Sequence, residues 1–129
     1  MKWLKVLTPL FALHLSVWVA SHFFFASNKK EILLVVDTSY SMKEKSGQVL
    51  DWITRYELSN RYKEITIGTA KAVLGPLSTL SSKDVIFRTS FGKLTSDNLT
   101  RLYSESGADT RILLSDGSLI PNGWDVITF

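Results

Sequence analysis

From Val6 to Ala26 the chain runs twenty-one residues, VLTPLFALHLSVWVASHFFFA, without a formal charge. At a helical rise of about 1.5 Å per residue this spans a hydrocarbon core of roughly 30 Å. Lysines bracket the run at both ends. Trp3, Trp18 and Phe23 to Phe25 supply the aromatic bulk that settles at membrane interfaces. A cleaved signal peptide would have a shorter apolar region, of about 7–15 residues, and an A-x-A-like site. Here the small-residue positions Ala20-Ser21 and Ala26-Ser27 sit beside bulky aromatics, so the expectation is a retained single-pass anchor. His14 and His22 within it read as neutral imidazoles near an interface or a helix contact. The flanks hold two lysines on each side, and the short basic N-terminus favours an N-inside orientation. The remainder is then expected outside the cytoplasm, in the periplasm if the membrane is a bacterial inner one.

Charge divides at the same place. The whole chain carries 15 Lys+Arg against 12 Asp+Glu, but residues 1–30 contribute four lysines and no acid, leaving 11 bases and 12 acids, a net −1, for the rest. The basic excess is therefore a membrane-flank feature, and nucleic acid is not an expected partner. Absence of cysteine excludes a disulfide scaffold and thiolate metal sites. A 45% hydrophobic composition excludes a disordered chain. Two units follow: an anchor with a polar linker (1–30) and a domain (31–129).

In the domain, Ile32 to Val36 is a short branched apolar run closed by Asp37, the pattern of a strand buried on both faces of a parallel sheet. From Ser46 to Tyr62, Val49, Trp52, Ile53 and Tyr56 recur at i, i+3, i+4 and i+7, which predicts an amphipathic helix and the start of a βαβ unit. Residues 64–71 and 72–77 predict two short strands, a hairpin ended by Pro76, which cannot donate to a central ladder. Residues 83–91 are open between a strand and a helix capped by Ser82. Ser96 is expected to cap a helix with Leu99, Leu102 and Tyr103 on one face and Gly107 at its stop. Arg111 to Asp116 repeats the first strand's character, and Trp124 to Phe129 alternates as a strand. If that strand's edge were free, a second subunit could add to it; a central or covered strand is the alternative.

The chemistry lies where the two apolar strands end in acids, Asp37 and Asp116. Ligands of open α/β sheets bind outside the carboxyl ends of strands. Asp37 is followed by Ser39 and Ser41 at i+2 and i+4, which an extended segment would point the same way. Carboxylate and hydroxyl oxygens are hard ligands that suit Mg²⁺ far better than zinc.

ILLVVDTSYSM resembles the opening strand and D-x-S-x-S loop of von Willebrand factor A domains, and ILLSDG resembles a later strand of that family. The resemblance covers residues 31–129 and implies a doubly wound, mostly parallel α/β sheet flanked by helices. It also implies a metal-ion-dependent adhesion site in which Asp37, Ser39, Ser41 and Asp116 hold Mg²⁺, or another divalent ion such as Mn²⁺ or Ca²⁺. A Thr from a later loop completes the set. Thr89 is the best match, with Thr79 and Thr95 as weaker ones. The partner implied is a protein offering an acidic side chain. Tyr40 stands where the family commonly has Gly, and the chain stops at a strand where the family continues, so the sheet is expected to be short at one edge.

Enzyme readings fit less well. A haloacid-dehalogenase-type phosphatase needs a second Asp two residues after the first, where Ser39 stands. No phosphate-cradling G-x-x-x-x-G-K-[ST] loop accompanies either strand. Both histidines lie in the anchor, which removes a Ser-His-Asp triad. The expectation is a binding domain and not an enzyme.

Overall fold

A computed structural model describes residues 1–59, 61–88 and 92–129. The protein is mixed α/β: an N-terminal apolar helix followed by a five-stranded, mostly parallel sheet. Helix α1 (Lys2–Ser27) buries none of its residues and is long and apolar enough to cross a membrane. Its hydroxyls at Thr8 and Ser16 donate to the carbonyls of Leu4 and Ala12, at 2.7 and 2.8 Å, so neither asks for water. The expected linker is mostly consumed: α1 includes Ser27, and strand β1 (Lys30–Val36) starts three residues later.

β1 lies at the centre of the order β3-β2-β1-β4-β5. It pairs in parallel with β2 (Lys63–Thr69) and β4 (Thr110–Ser115). β3 (Val73–Pro76) runs antiparallel to β2 at one edge, where Pro76 costs no ladder bond. β5 (Asp125–Thr128) runs parallel to β4 at the other edge. It is thus neither central nor paired on its outer side among the described residues. Residues 116–124 make this parallel crossover without a helix. Gly117 and Gly123, at φ 84° and 80°, turn the chain at its two ends in a conformation side chains disfavour.

Two-residue periodicity splits β1 between two cores. Ile32, Leu34 and Val36 pack with Val49 and Ile53 of α2 (Ser46–Ser59), Met42 and Ile86. Leu33 and Val35 pack with Leu94 and with Leu99 and Tyr103 of α4 (Ser96–Tyr103). Burial on both faces is why the run is continuously apolar. Residues 83–91 resolve in part: α3 (Val85–Arg88) is one helical turn, with the Val85 amide donating to the Ser82 carbonyl. The cap of α4 is Thr95, not Ser96; its hydroxyl accepts from the Asn98 amide at 3.2 Å. Nor is Gly107 the stop, because α4 ends at Tyr103 with Ser104 as C-cap.

Tyr103 carries a polar handle into this core. Its hydroxyl, 2% exposed as a residue, donates to the Thr69 carbonyl at 2.6 Å and approaches that of Ala72 at 3.3 Å. Burial pushes its pKa up to about 12. The folded state therefore keeps the proton longer than the unfolded chain. This contribution is full below pH ~10 and is lost as pH rises toward 12, amounting to about 2–3 kcal/mol. Tyr103→Phe is expected to cost about 0.5–1.5 kcal/mol at neutral pH and to flatten that alkaline loss. Urea unfolding at pH 7 and pH 11 measures both, and an unchanged alkaline slope would contradict the assignment.

Candidate functional site

β1 and β4 are neighbours in parallel with Val36 opposite Leu114, so Asp37 and Asp116, the first residues beyond each strand, leave the sheet at the same end, Asp116 one residue farther along. The Asp37 amide donates to the Leu114 carbonyl at 2.9 Å and pins the first loop against the second strand. From β1 the chain proceeds to β2 on one side, while β4 lies on the other. This reversal opens a crevice between the two carboxyl ends.

One backbone amide and three side chains tie the two loops together. The Ser39 amide donates to Asp37 Oδ1 at 2.9 Å; Ser39 Oγ and Ser41 Oγ are 3.0 Å apart; Ser41 Oγ donates to Asp116 Oδ2 at 2.8 Å. The extended-spacing argument holds only to Ser39, which is in the β region. Tyr40–Lys45 then forms a 3₁₀ segment that curls Ser41 back toward the acids. Met42, fully buried in the core, anchors that segment. A cleft of about 510 Å³ opens over these groups and is also lined by Tyr40, Lys93 and Ser118. Tyr40 is 85% exposed.

Electrostatics separate the two acids. Burial pushes the Asp37 carboxyl above its ordinary value, against the hydrogen bonds from Ser39, and the charge of Asp116 adds to the rise. Asp116 is held down at about 2 by the hydroxyl and amide of Ser118, the Ser41 hydroxyl and the charge of Lys45. Paired acids with opposed shifts in a cleft are typical of functional sites, though ion-pair networks also produce them.

The donor set fits a hard cation. The Ser39–Ser41 and Ser41–Asp116 oxygens stand 3.0 and 2.8 Å apart, at hydrogen-bond distance, and are hard oxygen donors of the kind Mg²⁺ takes. Among the described residues no three His, Cys, Asp or Glu side chains cluster. An ion here would depend on two carboxylates, two hydroxyls and solvent.

The candidate threonines fare differently. Thr89 lies outside the described residues. Thr79 bonds the Pro76 carbonyl in a 3₁₀ turn following the antiparallel β3, toward the amino end of β2 and away from the acids. Thr95 is engaged as the α4 cap. Sequence reasoning missed Ser118, whose amide donates to Asp116 Oδ1 at 3.0 Å, the same turn that Ser39 makes on Asp37. The signal was present, since D-x-S occurs after both strands. No protein-family model, curated protein or solved structure matches this chain.

Proposed function

We propose that residues 31–129 form a doubly wound von Willebrand factor A-type domain that recognises a protein partner through a divalent cation, on an anchor that crosses a bacterial inner membrane once and leaves the domain in the periplasm. Asp37, Ser39, Ser41 and Asp116 would hold the ion, Mg²⁺ by preference, with Thr89 carried over from the resemblance as a fifth donor. Bound there, Mg²⁺ supplies a strong local positive charge for an acidic side chain of the partner. The observation that carries the reading is the convergence of the two loops: the Ser39 amide on Asp37, and the Ser39 hydroxyl, Ser41 hydroxyl and Asp116 carboxylate in succession. Ser41 joins the two loops, and Lys93 at the rim adds attraction for an acidic partner. The reading is of binding, not catalysis.

Titrating Mg²⁺ into the full chain in nanodiscs tests this. A ligand at about a hundred times its Kd stabilises by roughly 2.7 kcal/mol, and Ser41→Ala should reduce the shift at a given Mg²⁺ concentration. No shift in the parent overturns the reading. A second reading, a metal-free assembly subunit, is favoured by the placement of β5 at the sheet edge. Chelator separates them: pull-down of the intact membrane protein should lose its partner under chelator if an ion bridges them, and keep it if strands do.

A further inference from the structure

The amino end of the sheet is gathered against the end of α1. Only Asn28 and Lys29 separate α1 from β1, and the Asn28 amide donates to the Phe24 carbonyl at 3.1 Å. A second tie comes from the residue before β2: Tyr62 Oη lies 2.8 Å from His22 Nδ1, and its ring is 5.5 Å from that of Phe25. The starts of β1 and β2 are thereby held at one level beside the helix end, with an aromatic cluster suited to a membrane interface.

Bases collect at this level. Lys30 and Lys63 share the first rung of the β1–β2 ladder, Lys29 and Arg61 flank them, and Lys29, Arg61 and Lys63 line a cleft of about 310 Å³. Lys63 is the fixed member, donating to the Tyr56 carbonyl and to Ser59 Oγ at 2.8 Å with its ammonium over the Tyr56 ring, whereas Lys29, Lys30 and Arg61 are exposed. Acids stand among them: Glu57 and Glu64 line the same cleft, and Glu31 and Glu64 sit one rung farther along the strands, but Glu57 is paired with Lys83 at 2.7 Å, so the bases stay in excess.

We propose that Lys29, Lys30 and Arg61 bind phosphate groups of anionic phospholipids and seat the amino end of the sheet on the membrane, with Lys63 adding its charge from behind them. The inference rests on α1 spanning the bilayer. It also fixes where the Asp37–Asp116 cleft points. β1 climbs seven residues from that surface, about 23 Å at 3.3 Å per residue, so the cleft faces away from the lipid.

The test is hydrogen exchange at amides 29–31 and 61–64 of the full chain, in nanodiscs of neutral phosphatidylcholine and in discs containing phosphatidylglycerol. Exchange should be about tenfold or more slower in the anionic discs, each base near the surface contributing roughly fivefold. Protection should vanish in 1 M salt, where screening acts within about 3 Å, and in the triple variant Lys29→Gln, Lys30→Gln, Arg61→Gln. The salt arm needs no variant and is independent of folding defects. Equal exchange in both discs overturns the proposal, as does full protection in neutral discs on adding inorganic phosphate, which would make the ligand free phosphate. A chain that fails to enter even neutral discs overturns the spanning role of α1 itself, a distinct result.

Discussion

Replacing Asp37 by asparagine should raise the melting temperature of the metal-free protein at neutral pH and abolish any rise that the proposed Mg²⁺ site gives the parent. Asp37 is 2% exposed, and its carboxylate form is disfavoured by burial and by Asp116. Because its folded pKa is raised, its contribution to stability is full below the ordinary carboxylate range and lost as pH rises through the folded value. At neutral pH the parent therefore bears the cost of a buried charge, which asparagine removes while its side-chain oxygen can still accept from the Ser39 amide. Asp116 works in the opposite direction, its contribution being full above the ordinary range and lost as pH falls toward about 2. Parent and Asp37→Asn melting temperatures should thus converge below the ordinary carboxylate range and separate as pH rises above it. A divalent ion would offset the same cost by a different route, so the variant should forfeit the whole Mg²⁺-dependent gain, about 2.7 kcal/mol at a hundred times Kd. Scanning calorimetry with and without Mg²⁺ measures both. A parent-like Mg²⁺ shift in the variant would remove Asp37 from the site.

How much of this was legible in the sequence depends on whether a feature is local in pattern. The two strands ending in Asp37 and Asp116 were readable because burial on both faces forces a continuous apolar run, and the acids mark where it stops. Helix α2 was readable from Val49, Trp52, Ile53 and Tyr56, but its 3₁₀ approach was not. Tyr40 to Lys45 has no periodic signature, and only Met42, which the core swallows, betrays that the segment turns inward. The α4 cap was misplaced by one residue because Thr95 and Ser96 are equally good caps chemically, and only backbone geometry decides between them. β5's edge position was hidden for another reason. A parallel crossover ordinarily contains a helix, and here residues 116–124 cross through Gly117 and Gly123, with Leu119 and Trp124 packed on the α4-side core. The site's acids could be paired from the strand pattern, whereas the link through Ser41 required the turn.

Gly68→Ala is expected to destabilise the domain by about 1–3 kcal/mol, the usual cost of overpacking a filled core, although alanine is the better residue by backbone entropy. A Cβ built on Gly68 would lie 2.1 Å from Tyr103 Oη and 2.8 and 2.9 Å from its Cζ and Cε1. The ring is poorly placed to yield. It is buried, its hydroxyl is held by the Thr69 carbonyl, and Trp124 packs edge-on at 6.0 Å between centroids. The strand has little freedom either, because Gly68 is paired with Val35 on one side and Val73 on the other, next to a register shift at Ile67. Something must move, and the cost should appear as a melting temperature lower by about 4–8 °C for each kcal/mol in a domain of this size. The pair is testable by a double-mutant cycle. Tyr103→Phe deletes the oxygen at 2.1 Å but leaves the ring carbons below 3 Å, so the double variant should lie above the sum of the singles without returning to the parent. That coupling arises only if residues 68 and 103 touch. Strict additivity would mean that the strand and α4 do not meet there, and the second core, which supports Val35 and through it the loop bearing Asp37, would need a different packing.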